Sequence, residues 1–157
     1  MEAIYVNPIL SACSSILKTL LFEDIKLGEL KLIKNHHLDG SLVIMIWMTG
    51  DFDGRFIFSM SRRTAAKIAS IMMGQEVTEL DEISKSAIAE MSSMILGRSG
   101  ILYAKKNINV NISYPTMVEG DSINIVPLKG KNAGRILKIP LIMNSGDVVE
   151  VRIEAKH

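Results

Sequence analysis

Ser86-Ala-Ile-Ala-Glu90-Met-Ser-Ser93-Met-Ile-Leu-Gly97 reads as one long helix with two unlike sides. At roughly 100° per residue, Ser86, Glu90, Ser93 and Gly97 fall within about 60° of one another. Ile88, Met91, Ile95 and Leu102 gather on the opposite side. The apolar back needs a surface to cover it. The front holds one carboxylate among small residues and no Lys or Arg, whereas a solvated face ordinarily mixes charges of both signs. Two readings fit the stretch by itself. Gly97 lets a neighbouring helix come close, or the front is left clear for another molecule to dock.

Working outward, the helix runs from about Leu80 to Tyr103, with Thr78 and Asp81 as its start signal. Upstream, Asn7-Pro8 predicts a helix start, since proline tolerates the first helical position. Ile9, Cys13, Ile16 and Leu20 then form one stripe that ends near Phe22. Leu27 to Asn35 is strand-like, and Asp39-Gly40 marks a turn. Leu42 to Met48 is apolar on both faces, the pattern of a central covered strand, and burial is the expectation for Trp47 within it. Gly50 to Gly54 is a loop leading to an antiparallel partner, Arg55–Met60. Ser61 caps a second helix with Ala65, Ile68, Ala69 and Met72 on one face and Gly74 as its stop.

The last third reads as β. Ile108, Val110 and Ile112 alternate with asparagines. Ser122 to Leu128 and Arg135 to Met143 follow, separated by Gly130 and Gly134. Asn144-Ser-Gly-Asp147 is a hairpin turn before Val149, Val151, Ile153 and Ala155, which alternate with Glu150, Arg152 and Glu154. Three one-sided helices and strands in hairpin order predict a single α+β domain over residues 1–157: a largely antiparallel sheet with helices packed on one face.

Composition bounds the function. Eighteen basic and seventeen acidic side chains leave a net charge of +1, with no dense Lys/Arg cluster to suggest a nucleic-acid partner. The longest unbroken apolar run, Leu42 to Met48, is far short of the roughly 18 residues of a membrane span. A start without a basic segment argues against secretion, and a single cysteine fits a reducing cytoplasm. Cys13 lies on an apolar stripe, as a small core residue does. His36 and His37 are adjacent and point to opposite faces of a strand, so they do not converge on a metal, and one of them is read as an exposed loop residue. The terminal His157 is expected to be disordered. There is no phosphate-binding glycine loop, zinc spacing or nucleophile elbow. Asp51, Asp53 and the Asp81-Glu82 pair are better explained by turns and a helix start than by acid–base chemistry.

The spacing of the front is informative in a second way. Ser86 is followed after three residues by Glu90, after two more by Ser93, and twenty-one residues then separate Ser93 from Pro115. This resembles the signature of the CheC and CheX family of chemotaxis phosphatases: Asp or Ser, three residues, Glu, two residues, Asn, twenty-one residues, Pro. The departure is Ser93, where the family has Asn. Asn7-Pro8-Ile9-Leu10, Gly50 to Ser61 with the Ala-rich helix after it, and Ser113 to Gly120 are also similar to family segments. One signature helix and a short chain look more like CheX than like the two-site CheC proteins.

The resemblance implies a cytoplasmic homodimer that docks a phosphorylated CheY-type response regulator and promotes hydrolysis of its aspartyl phosphate. It implies no cofactor of its own, since Mg²⁺ belongs to the partner. Glu90 would pair with the partner's active-site lysine, and Ser93 would occupy the water-orienting position. Ser86 and Gly97 would complete the contact face. Catalysis of this kind is positioning, with neither nucleophile nor metal supplied by the phosphatase. A serine oxygen sits about 1.2 Å nearer the backbone than an asparagine amide. Two outcomes therefore stand open: a weak or modified phosphatase, and a non-catalytic adaptor or flagellar-switch-like module using the same helix.

Overall fold

The apolar stripes of the helices and the alternating strands meet in a two-layer arrangement. The computed structural model describes residues 2–130 and 135–156, so Gly134 and His157 lie outside the described residues. The helices are α1 (Ala3–Leu21), α2 (Arg62–Met73) and α3 (Glu82–Lys105). The strands are β1 (Ile25–Leu27), β2 (Lys31–Ile33), β3 (His36–Gly50), β4 (Gly54–Ser61), β5 (Val110–Ile112), β6 (Thr116–Ile125), β7 (Ile136–Met143) and β8 (Val148–Ala155). They form one sheet in the order β1-β7-β8-β4-β3-β5, with β2 also on β7 and β6 also on β3. Every pairing is antiparallel. Leu42, Ile44, Ile46 and Met48 of β3, Phe56 and Phe58 of β4, and Val149, Val151 and Ile153 of β8 meet the three helices in a single core. This is the expected α+β sheet with helices on one face.

Local chemistry accounts for most boundaries. Ser61 accepts the Thr64 N–H at 3.1 Å to start α2, and Gly74 ends it at φ +67. Phe22 takes the left-handed conformation that closes α1. Other boundaries moved. α1 begins at Ala3 and carries Pro8 inside it, not at its first turn. The lost N–H of Pro8 frees the carbonyl four residues back, on the partly exposed Ile4, where water can reach it. By length and composition α1 could cross a membrane, but here Ile9, Ala12, Cys13 and Leu17 are wholly buried in the core. The Leu27–Asn35 segment is two short strands, because Pro140 on β7 has no N–H for the ladder. Gly28 donates to the Pro140 carbonyl at 2.8 Å, and a Cβ there would lie 2.5 Å from the proline ring. The strand expected from Ser122 starts six residues earlier, at Thr116.

The far face of the sheet was not anticipated. Asp39-Gly40 is no turn: it lies within β3, where Gly40 has φ +51. The chain bends there, and the start of β3 with the end of β6 folds over the back of the sheet. Leu38 consequently packs with Val43 and Ile57. His36 is buried, in a strand and not a loop, and its Nε2–H donates to the Glu154 carboxylate at 3.0 Å. Arg55 donates to Glu154 at 2.8 Å and to the Val126 carbonyl. The Leu128 N–H donates to the other Glu154 oxygen at 2.5 Å. Arg152 reaches Glu150 at 2.6 Å and His36 Nδ1 at 3.3 Å. The charged residues of β8 thus form a buried network under a ribbon. His37 stays exposed and bonds Asn124 and Asp39, which raise its pKa in that order. Trp47 departs from the expected burial: it is 42 % exposed, with the Arg55 guanidinium 5.4 Å from its ring centroid.

Candidate functional site

Helix α3 is set by its first turn. The Asp81 carboxylate accepts the Ser84 N–H at 2.8 Å, and the Asp81 N–H donates to the Ser84 hydroxyl at 2.8 Å. The cap is therefore Asp81, not Thr78, and the Ser84 N–H holds the Asp81 carboxyl below its usual range. The back of the helix buries Ile88, Met91, Ile95 and Tyr103, with Leu102 only half-buried. Tyr103 donates to the Tyr5 carbonyl at 2.5 Å, joining the end of α3 to the start of α1. Ser92 and Ser99 are buried, and each donates to the carbonyl four residues back, Ile88 and Ile95. Small side chains there let α1 and α2 pack closely.

With the back fixed, the front is fixed too. Ser86, Glu90, Ser93 and Gly97 are all exposed, as the periodicity requires. Ser86 donates to its own helix at the Glu82 carbonyl, 2.9 Å. Among the described residues, the Glu90 and Ser93 side chains make no hydrogen bond or ion pair. The structure thus brings the four together on one open face, with a carboxylate and a hydroxyl one turn apart at its centre. Ser92 is unable to stand in for Ser93, since its hydroxyl is buried and committed.

The N-terminal half of this face borders an ion-paired rim. Glu119 on β6 pairs with Lys85 at 2.9 Å and Arg62 at 2.8 Å, and Arg62 also reaches Asp121 at 2.8 Å. Lys85 and then Arg62 hold the Glu119 carboxyl below its usual range. A shallow cleft between α3 and β6 is lined by Leu42, Lys85, Ser86, Ala89, Met117 and Glu119. A larger hollow lies between α2 and residues 76–80, and it includes none of the four front residues. Among the described residues no group of His, Cys, Asp and Glu has the geometry of a metal site. Asp51 and Asp53 serve the β3–β4 loop, accepting from the Asn109 and Gly50 N–H groups.

Two front residues were missed in the sequence. Ile83 and Ile101 are 67 % and 52 % exposed and take no part in the core. Their separation of eighteen residues, five full turns at 3.6 residues each, is the signal that finds them.

Gly97 is helical, and among the described residues a Cβ built on it meets nothing within 4 Å, so no described helix uses it for close approach. Gly97→Ala is therefore expected to stabilise the protein by about 1 kcal/mol, a rise of roughly 2–4 °C in Tm by calorimetry. An unchanged or lower Tm would mean that the position carries a constraint the monomer does not show.

The chain is thus an antiparallel sheet backed by three helices, one of which presents Glu90 and Ser93 to solvent. The family model "Chemotaxis phosphatase CheX" matches residues 42–137. The chain is 31 % identical over 157 residues to the CheY-P phosphatase CheX of Thermotoga maritima, covering 99 % of this chain and 98 % of that one. The chain belongs to the CheX family. Its fold is also that of a CheC-like superfamily protein from a Shewanella species (TM-score 0.83, 22 % identity, 98 % and 97 % of the two chains). It is likewise that of CheX in a CheX–CheY–BeF3–Mg²⁺ complex from Borrelia burgdorferi (TM-score 0.79, 24 % identity, 98 % of each chain).

Proposed function

We propose that this protein docks a phosphorylated CheY-type receiver domain through the front of α3 and promotes hydrolysis of its aspartyl phosphate. The observation that carries this reading is the exposure of Glu90 and Ser93, one turn apart and unpartnered among the described residues, on the signature helix of a CheX-family chain. A lone carboxylate suits a lysine of the partner. The Ser93 hydroxyl both donates and accepts, as an attacking water's guide must. The chain brings no metal or nucleophile to the reaction; Mg²⁺ sits on the receiver. Such a partner belongs in the cytoplasm.

One observation favours the adaptor reading. The Ser93 hydroxyl is shorter than the amide it replaces by about 1.2 Å, and misplacement of about 1 Å costs on the order of 10²-fold in positioning catalysis. The test is decay of a phosphorylated receiver with wild type, Ser93→Asn and Ser93→Ala. Ser93→Asn is expected to raise the rate roughly tenfold, about 1.4 kcal/mol of barrier. Ser93→Ala falling below wild type supports a working hydroxyl. Alanine equal to wild type supports an adaptor. Three identical rates would remove residue 93 from the mechanism.

The protein is further proposed to be a homodimer, as the resemblance to CheX implies. The C-terminal hairpin offers no free edge, because β8 lies between β4 and β7, and β7 is paired on its other side by β1 and β2. Among the described residues the sheet has free edges at both ends, β1 and β2 at one and β5 and β6 at the other, and β6 is the longest of them. Light scattering at high micromolar concentration is expected to return twice the 17.3 kDa chain mass; a monomer mass counts against it.

A further inference from the structure

We infer that Ile83 and Ile101 are the apolar anchors by which the receiver domain is held, an inference that rests on the docking function proposed above. Both are large, exposed and outside the core, and they are the only large hydrophobic residues of α3 that are exposed among the described residues. Isolated exposed apolar side chains are ordinary. These two share a helical direction. Five full turns separate them, so they project alike, about 27 Å apart along the axis. Glu90 and Gly97 fall near the same line, within about 40° of it. The midpoint of the pair is residue 92, beside the Glu90 and Ser93 centre.

The spacing fits one small partner. A standard interface covers about 800 Å² on each side, a patch roughly 32 Å across. Centred on Glu90 and Ser93, that patch takes in both isoleucines. It also continues over Gly97 and Gly100, where a Cβ would meet nothing within 4 Å. Between the isoleucines the surface is low over these glycines and carries Glu90 with the half-buried Met94 beside it, which leaves room for the partner's phosphate site to approach. Neutral polar groups that exchange water contacts for partner contacts contribute little net affinity, so beside the Glu90 charge the apolar ends supply the holding energy. The division of labour follows: Ile83 and Ile101 set affinity together with Glu90, and residue 93 sets rate.

The test is calorimetric titration of a receiver domain, its phosphorylated form mimicked with beryllium fluoride and Mg²⁺, into wild type, Ile83→Ser, Ile101→Ser and the control Leu32→Ser. Leu32 is 72 % exposed on β2, at the other end of the sheet from β6. Each isoleucine variant is expected to weaken binding about tenfold, with Tm unchanged, while the control binds like wild type. In the decay assay the isoleucine variants should raise KM and leave kcat alone. If wild type binds and both isoleucine variants bind equally well, the anchors are refuted and the docking function stands. If wild type binds no receiver, the docking function fails and the anchors with it. If the variants shift the monomer–dimer equilibrium without changing receiver affinity, the patch belongs to a second copy of this chain and the inference is overturned.

Discussion

Glu154→Ala is expected to destabilise the fold by about 3–5 kcal/mol, a large part of a typical domain's 5–15 kcal/mol. The carboxylate is 1 % exposed, and its removal leaves the buried guanidinium of Arg55 without its counter-charge. Arg55 and His36 lose a direct acceptor and the Leu128 N–H loses its own, so several donors are orphaned by one change. Urea unfolding of wild type and variant measures the loss. A value under 1 kcal/mol would mean the ribbon over the sheet is held by apolar contacts alone. Replacing Glu154 and Arg55 together by leucine should cost less than the sum of the single changes, since no unpaired charge remains.

The same network carries a pH dependence. Burial by itself would raise the Glu154 carboxyl, but hydrogen bonds from His36, the Leu128 N–H and Arg55 outweigh it and hold it below the ordinary glutamate range. A carboxyl lowered on folding contributes stability above its unfolded pKa, and that contribution disappears as pH falls through the folded value. The stability gap between wild type and Glu154→Gln should therefore be largest near neutral pH and narrow in acid. A gap that widens on acidification has the wrong sign for this network.

The second large effect belongs to the front of α3. Glu90→Lys should weaken binding of a phosphorylated receiver by about 2–5 kcal/mol, roughly 30-fold or more in Kd, by setting like charges together at the docking lysine. The side chain is exposed and has no partner among the described residues, so Tm should stay within about a degree or two of wild type. Unchanged affinity in titration calorimetry would show that this face is not the contact surface. Preserved binding with lost hydrolysis would move Glu90 from docking to catalysis.

The exposed front of α3 was legible in the sequence because a helix obeys its own period. Once Ile88, Met91 and Ile95 must be covered, Ser86, Glu90, Ser93 and Gly97 must face out, whatever the covering surface is. The Ser61 cap, the Gly74 stop and the β3–β4 pairing were equally local, each fixed within a few residues. Tertiary structure decided what depends on distant partners. No neighbour of Gly40 announces that its φ of +51 bends a strand over the back of the sheet. The Glu150, Arg152 and Glu154 alternation looks like a solvated face, and becomes a buried one only when residues more than a hundred positions away fold over it. Pro8 stays inside α1 because the helix is held by its packed core rather than by its first hydrogen bonds. Sequence period determines which side of an element faces out; only the assembled chain determines whether anything else arrives to cover it.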